Sequence, residues 1–288
     1  MRRRRIGCFG IFLIILLITA VPGIIIWVDS NTRLVTNEFK LSYTNLPDAF
    51  DGYRIVLLAD MHGAEHGDNN ERLVEAVRNA EPDIITFAGD MIDRFQPGKP
   101  VERQLEIARI LVEQLVQIAP VYYVTGNHEW DSGEVRTLFA MLEDAGVTVL
   151  RNQYRRISIG EDSIILAGID DPGGPADMIT PEDFIQNIFD REDVNFLAVI
   201  NHRNYSLSGL SRLGADLILS GHAHGGMVRF LFADGLIGPS YELFPTYTSG
   251  VYTEGGTNMV VTRGLGNHFG WTRFLNNPQV AVVVLNVK

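Results

Sequence analysis

Five short clusters carry groups whose types and spacing could do chemistry. They are Asp60-Met61-His62, Gly89-Asp90-Met91-Ile92-Asp93, Gly126-Asn127-His128-Glu129, Asn201-His202 and Gly221-His222-Ala223-His224-Gly225-Gly226. Their hard oxygens and borderline imidazole nitrogens suit Mn, Fe or Zn. Residues i and i+2 of an extended chain point the same way, so Asp60 and His62 are expected to reach one ion. Asp90 has two carboxylate oxygens and could bridge two ions, and Gly89 would let the backbone turn tightly beside it. Asn127 offers a neutral carbonyl oxygen, with His128 next to it as a free acid or base. His222 and His224, flanked by glycines, suit two adjacent ions. Any one cluster is weak, because a lone strand-end histidine is more often a hydrogen-bonded surface residue. Together they weigh more. Of seven histidines, five fall in the clusters, and only His66 and His268 lie outside.

Something must hold these clusters in place. Each follows a short apolar, β-rich run: 53–59, 83–88, 121–125, 196–200 and 217–220. In open α/β sheets, sites gather beyond the carboxyl ends of strands. Between the runs, the helical period is expected over 69–80 and 101–118. Asp131 and Glu134 resemble a capping box for a helix over 135–144. Thr180-Pro181 opens another helix. Further strands are expected at 155–159, 163–169, 258–262 and 280–287. The stretch 230–256, rich in Gly, Pro and Tyr, reads as a long surface loop. Asp170-Asp171 reads as a turn before Pro172, not a ligand pair. The strand–helix alternation implies a mainly parallel sheet with helical crossovers, and one domain of two packed sheets with helices outside.

The chain has 288 residues, 46% of them hydrophobic, enough for a sizeable core. Its formal net charge is −11. Arg2, Arg3, Arg4 and Arg5 precede the first apolar run, so the remainder is near −15. A body that acidic repels nucleic acid. A phosphate-bearing substrate then needs local positive charge, and bound metal is the obvious source. Cys8 is the only cysteine, so the body has neither a disulfide nor a thiolate site. From Ile6 to Val28 no charged residue appears, a run of 23 residues. About 20 apolar residues span a bilayer. The run is expected to be an uncleaved signal anchor, with a cleaved signal peptide as the alternative. The arginines put residues 1–5 in the cytoplasm and the body outside the cell membrane. The implied organisation is tail 1–5, anchor 6–28, linker and first strand 29–52, and catalytic domain 53–288.

The ordered set D-x-H, G-D-x-x-D, G-N-H-E, H and G-H-x-H resembles the calcineurin-like metallophosphoesterase superfamily over roughly residues 38–288. Gly225-Gly226-Met227-Val228-Arg229, Arg263-Gly264-Leu265-Gly266 and Asn277-Pro278 look like the bacterial membrane-associated branch. That branch includes phosphodiesterase-type proteins and lipid-A-pathway UDP-diacylglucosamine pyrophosphatases. The resemblance implies a four-layer α/β/β/α sandwich of two mixed sheets flanked by helices, here behind an N-terminal transmembrane helix. It implies two divalent metal ions. Asp60, His62 and His224 would bind the first, and Asn127, His202 and His222 the second. Asp90 would bridge them, and a hydroxide held between the ions would be the nucleophile. His128 would assist the leaving oxygen or stabilise developing charge. Glu129 and Asp93 would either orient ligand imidazoles or serve as caps and surface ion pairs. Arg263 would touch a phosphate or pair with a sheet-end carboxylate. Phe269 and Trp271, with Tyr241, Phe244 and Tyr247, would line an apolar groove for a lipid or sugar-nucleotide, or pack the loops onto the core.

The expected activity is hydrolysis of a phosphodiester or pyrophosphate of a lipid- or nucleotide-linked envelope metabolite. A soluble small phosphate ester is a second reading. A non-catalytic envelope binding protein on the same scaffold is a third, and loss of any ligand would support it. Oligomeric state and natural substrate stay open.

Overall fold

Strands form where apolar residues run without interruption. Ile84–Ala88 (IITFA) and Leu197–Asn201 (LAVIN) are buried along their whole length, as strands covered on both faces must be. The computed structural model describes residues 8–288 apart from 97, 177, 231–232, 239–240 and 269–271; side chains are described from residue 16, save those of 17 and 233.

In chain order, helix α1 (Cys8–Thr32) leads into β1 (Val35–Tyr43) and β2 (Arg54–Leu58). Then come α2 (Glu71–Asn79), β3 (Ile84–Ala88), α3 (Val101–Leu115) and β4 (Val121–Val124). Two helices follow, α4 (Asn127–Ser132) and α5 (Val135–Asp144), and then β5 (Thr148–Val149), β6 (Gln153–Ile159) and β7 (Asp162–Ile169). The second half contains α6 (Pro181–Phe189), β8 (Leu197–Asn201), α7 (Leu207–Arg212) and β9 (Leu217–Ser220). Strands β10 (Val228–Phe230), β11 (Ala233–Ile237), β12 (Gly250–Glu254), β13 (Thr257–Val261) and β14 (Gln279–Val287) complete it.

Two six-stranded mixed sheets result, ordered β1-β14-β2-β3-β4-β5 and β12-β13-β9-β8-β7-β6, with β10-β11 as a separate hairpin. Only β14-β2 is antiparallel in the first sheet; in the second, the outer pairs β12-β13 and β6-β7 are. The sheets pack face to face. One core joins Ile55, Leu57 and Val283 of the first to Leu166, Ile200 and Leu219 of the second. A second core lies under α2, α3 and α5 on the outer face of the first sheet. A third lies under α6 and α7 on the outer face of the other. The layers are therefore helix, sheet, sheet, helix, as the resemblance implies. Parallel crossovers bring the carboxyl ends of β2, β3, β4, β8 and β9 to one end of the sandwich.

Several expectations are corrected. The stretch 230–256 is not all loop; it contributes to β10–β11 and supplies β12, the edge strand beside β13. The helix over Val135–Asp144 forms, but with no side-chain cap bond at Glu134. One helix earlier, the Glu129 carboxylate reaches back to accept the N–H of the N-terminal flanking residue Gly126 at 2.7 Å. Thr180 does cap α6, accepting from Asp183 N–H at 3.1 Å. Among the described residues no helix is long and apolar enough to cross a membrane, so a spanning helix at 6–28 is not established. Helix α1 does cover Cys8–Thr32 and exposes Leu16, Ile18, Val21, Ile24, Ile25 and Trp27.

The end of α1 grips the domain. Asn31 donates to the Arg273 carbonyl at 2.8 Å and accepts from its N–H at 3.0 Å and from the Asn267 amide at 3.2 Å. Trp27 Nε1 donates to Thr272, and Asn277 donates to the Asp29 carbonyl. Removing Asn31 leaves these groups unpaired at about 1 kcal/mol per bond. Asn31→Ala is expected to speed amide hydrogen exchange around 266–268 and 272–274 while β2, β3 and β9 keep their protection. A uniform rise across the sheets would show that the contact serves global stability instead.

Candidate metal centre

The clusters converge because each strand stops at a sharp turn. Asp60 (φ 52°), His62 (φ 47°), Asp90 (φ 54°), His222 (φ 68°) and His224 (φ 48°) all adopt the left-handed backbone region. That region is sterically poor for side-chain-bearing residues, although Asp and His tolerate it better than most. Each such residue costs on the order of 1–3 kcal/mol, and strain of this kind collects at functional sites. The expected extended geometry of Asp60-Met61-His62 is therefore wrong. A left-handed turn, not strand alternation, brings both side chains to one side. Pairing continues past the strands and fixes the turns: Asp60 N–H donates to Gly89 O, and His62 N–H to Asp90 O, both at 3.0 Å.

Two glycines make the approach possible. A Cβ on Gly89 would stand 2.4 Å from Gly126 N, and one on Gly126 would stand 2.2 Å from Asp90 Oδ1. The β3 and β4 turns touch there backbone to backbone.

Three donor groups result: one joins His62, Asp93, His128 and His268, and the other two carry the expected Asp and His ligands. Asp60, His62 and His224 each place one ligand atom within 4.8 Å of the others, and so do Asp90, His202 and His222. Asp90 Oδ2 lies 3.1 Å from His202 Nε2 and 3.8 Å from His62 Nε2, between the two groups. Imidazole nitrogens face one another, His62 Nε2 to His224 Nε2 at 3.1 Å and His222 Nδ1 to His202 Nε2 at 3.2 Å. Asn127 Oδ1 is buried with no hydrogen-bond partner among the described residues. An orphaned buried oxygen beside convergent nitrogens is what a cation-binding site looks like before the cation is considered. The donor set fits two divalent ions.

Neighbours fix the tautomers. His202 Nδ1 donates to the Ala88 carbonyl at 2.7 Å, which turns Nε2 toward Asp90. His224 Nδ1 faces the Gly266 carbonyl at 3.3 Å, and the buried Arg273 guanidinium donates to the same oxygen at 2.6 Å. Asp60 accepts the His222 N–H on both oxygens at 3.0 Å. The two acidic residues expected to orient imidazoles divide the task. Asp93 faces His128 Nδ1 through Oδ1 at 3.1 Å and His62 Nδ1 through Oδ2 at 3.4 Å. Glu129 touches no imidazole. Its carboxylate accepts four backbone N–H groups, from Asp90, Met91, Ile92 and Gly126, at 2.6–3.3 Å. It is the strap on the Asp90 turn. Asp170 and Asp171 are not ligands either. Asp170 accepts from Thr125, and Asp171 holds Arg203.

Electrostatics follow from burial. Desolvation pushes the Asp60 carboxyl up to about 7, with the Asp90 charge adding to it. Burial would discharge His202, but the Asp90 carboxylate overrides it and raises His202 to about 10. Burial also works against Asp90, yet the surrounding imidazoles hold it well below the carboxylate range. His222 and His224 are pushed down by burial and cationic neighbours. Among the imidazoles of the expected ligands only His202 is raised, by the Asp90 carboxylate beside it, while burial lowers His62, His222 and His224.

Not every expected residue can be placed. Phe269 and Trp271 lie outside the described residues. Arg263 is half-buried beside the Gly225 turn, its Nε without a partner, and among the described residues no carboxylate pairs with it. Tyr247 packs on Tyr252, whereas Tyr241 and Phe244 are largely exposed. Three positions near the centre went unread in the sequence. Arg273 and Arg203 stood among other arginines with nothing to single them out. His268 stood outside the clusters, although it was one of only two histidines left over.

Family comparison decides the scaffold. The calcineurin-like phosphoesterase family matches residues 53–226. The chain belongs to that family. The family is dimetal-dependent, and the chain is accordingly a metal-dependent phosphoester hydrolase. It is 27% identical over 253 residues to the uncharacterized metallophosphoesterase YkuE of Bacillus subtilis, covering 87% of this chain and 85% of that one. It is 28% identical over 298 residues to a zebrafish (Danio rerio) protein named as a transmembrane protein with metallophosphoesterase domain. That match covers 97% of this chain but only 63% of the relative. A solved structure from Thermus thermophilus superposes at TM-score 0.49 with 13% identity, over 74% of this chain and 90% of that one.

Metal uptake by this phosphoesterase has a predictable pH dependence. His202, raised to about 10, carries a proton at neutral pH that a divalent cation held by the Asp90–His202–His222 group would have to displace. Binding therefore releases protons and weakens as pH falls. Calorimetric titration of Mn into the full chain at pH 7, in buffers of different ionisation enthalpy, is expected to show net proton release. Affinity unchanged between pH 6 and 8 would contradict the displaced-proton account.

Proposed function

We propose that this phosphoesterase is anchored to a membrane and hydrolyses a phosphodiester or pyrophosphate of a lipid- or nucleotide-linked metabolite. The observation that carries the chemistry is Asp90 Oδ2 standing between two donor triads while Asn127 Oδ1 lacks a partner. In this reading Asp60, His62 and His224 hold one divalent ion, and Asn127, His202 and His222 the other, with Asp90 shared. Two such ions would supply Lewis acidity, an activated water and a clamp on the phosphoryl oxygens.

The chain's own residues do the rest. His128 Nε2 is 4.0 Å from Asp90 Oδ2 and faces the reacting centre. Its Nδ1 is fixed by Asp93. Burial disfavours its charge, but the Asp93 bond and the Asp90 charge raise it to about 9, so it holds a proton at neutral pH. It can hand that proton to the leaving oxygen. Arg263, whose Nε has no hydrogen-bond partner among the described residues, would meet a second phosphate oxygen.

Membrane attachment is supported by α1 with its uncharged run from residue 6 to 28 and its exposed apolar side chains. The zebrafish relative is named a transmembrane protein. Four arginines before the run favour a body outside the cytoplasm. The grip of Asn31 on the 267–273 loop would place the site close to the anchor, which suits a membrane-borne substrate. A soluble small ester remains the second reading, favoured by the wide exposure of Tyr241 and Phe244.

The full chain in detergent, loaded with Mn, is expected to hydrolyse bis-p-nitrophenyl phosphate in preference to p-nitrophenyl phosphate. Asp90→Asn should abolish turnover. His128→Ala should lower kcat roughly 10²–10⁴-fold with metal content intact. Full turnover by Asp90→Asn would end the two-ion reading, and preference for the monoester would end the diesterase assignment.

A further inference from the structure

Asp93 holds a second imidazole besides His128. Its Oδ2 accepts from His268 Nδ1 at 2.6 Å, while its Oδ1 faces His128 Nδ1 at 3.1 Å. The two rings stand 4.5 Å apart, and His268 lies 5.9 Å from the His62 ring. Both Nδ1 atoms point back at the same buried carboxylate, so both Nε2 atoms point away from it. His128 Nε2 faces Asp90 Oδ2 at 4.0 Å. His268 Nε2 finds no hydrogen-bond partner among the described residues, and its side chain is 36% exposed beside the His62 and His128 rings.

Asp93 does not need His268 for its own satisfaction. Phe95 N–H, the Gln96 amide and His128 already supply donors to the two oxygens. Gln104 fixes the Asp93 backbone from both sides. Nor is His268 a stray surface residue. Asn267, immediately before it, donates to Asn31, accepts from Arg273 Nε at 2.7 Å, and offers its carbonyl to Gln96 at 2.7 Å. The backbone that presents His268 is tied to α1, to the β3 turn and to the buried Arg273. A held ring with one nitrogen anchored and the other open is a preorganised donor.

We propose that His268 is a substrate-binding residue: its Nε2 hydrogen-bonds the phosphate group of the bound ester beside His128, so that the two neighbouring imidazoles present donors to it. This rests on the phosphoesterase reading above. The ligand class is a phosphate ester or inorganic phosphate.

Side-chain amides separate the two nitrogens. The amide nitrogen of Asn stands where His Nδ1 stands, and that of Gln where Nε2 stands. His268→Asn keeps the Asp93 contact alone, and His268→Gln keeps the Nε2 donor alone. Each variant of the Mn-loaded full chain in detergent is assayed on bis-p-nitrophenyl phosphate and titrated with inorganic phosphate by calorimetry. Metal content is checked in parallel. Loss of a hydrogen bond to a charged group is worth roughly tenfold or more. His268→Ala and His268→Asn are expected to lose about that factor in kcat/KM and phosphate affinity with both ions retained, and His268→Gln to recover most of it. Recovery by Asn and failure by Gln would make His268 a support for Asp93 and overturn the proposal. Three variants indistinguishable from the parent would overturn it too. A parent chain that binds phosphate but does not turn over bis-p-nitrophenyl phosphate would sink the diesterase reading, while the phosphate titration would still decide the His268 contact.

Discussion

Four carboxylates, Asp60, Asp90, Asp93 and Glu129, lie within one end of the sandwich with 1% exposure or less. Buried anions are tolerable only when paired or heavily hydrogen-bonded. Almost everything else at this end of the molecule answers that constraint. Glu129 is surrounded by four backbone N–H groups, and burial still pushes its carboxyl up to about 7. Asp60 takes the His222 amide on both oxygens. Asp93 takes imidazoles, and Asp90 is surrounded by them. Two cations in the donor triads would complete the neutralisation, the one held by Asp90, His202 and His222 displacing the His202 proton.

The same constraint explains the backbone. Charged ligands can share two ions only if their loops come closer than ordinary side-chain packing permits. Gly89 and Gly126 meet backbone to backbone, and five candidate-ligand positions turn into the left-handed region. That strain persists because the surrounding architecture over-determines it. Two six-stranded sheets share a dry core of Ile, Leu and Val, and the helical layers clamp their outer faces. The stable part of the fold holds the unstable part in shape.

The 262–278 loop joins the two. Its described residues on either side of 269–271 lie between β13 and β14, against the centre. Gly266 N–H donates to the Asp60 carbonyl at 2.7 Å, and Gly266 O receives Arg273 and faces His224. Arg273 is wholly buried, and burial lowers it to about 10, a costly place for a guanidinium. Its carbonyl and amide are read by Asn31 of α1. The element nearest the N-terminus is thus structurally continuous with the catalytic rim, and a body cut at residue 30 would keep Asn31 but lose the Trp27 and Asp29 contacts to the loop.

Much of this was legible in the sequence, and the boundary has a physical cause. Apolar runs without alternation marked the central strands to within a residue or two, because burial on both faces leaves no other composition. The D-x-H, G-D-x-x-D, G-N-H-E and G-H-x-H clusters named the candidate ligands, because few residue types bind hard and borderline cations, and the family resemblance carried by their order assigned each an expected role. Short-range geometry was less legible. Asp60 and His62 looked like neighbours on a strand, yet they lie in a left-handed turn set by pairing to the β3 loop. Glu129 looked like a partner for imidazoles and is instead a partner for backbone amides, because its helix points it inward at the Asp90 turn. His268 and Arg273 carried no local pattern at all. Their positions depend on a loop closed by residues more than 200 positions away, and long-range closure is written in tertiary contacts rather than in spacing. The sequence by itself determined which groups are present and which strands present them; only the tertiary structure decided which oxygen faces which nitrogen.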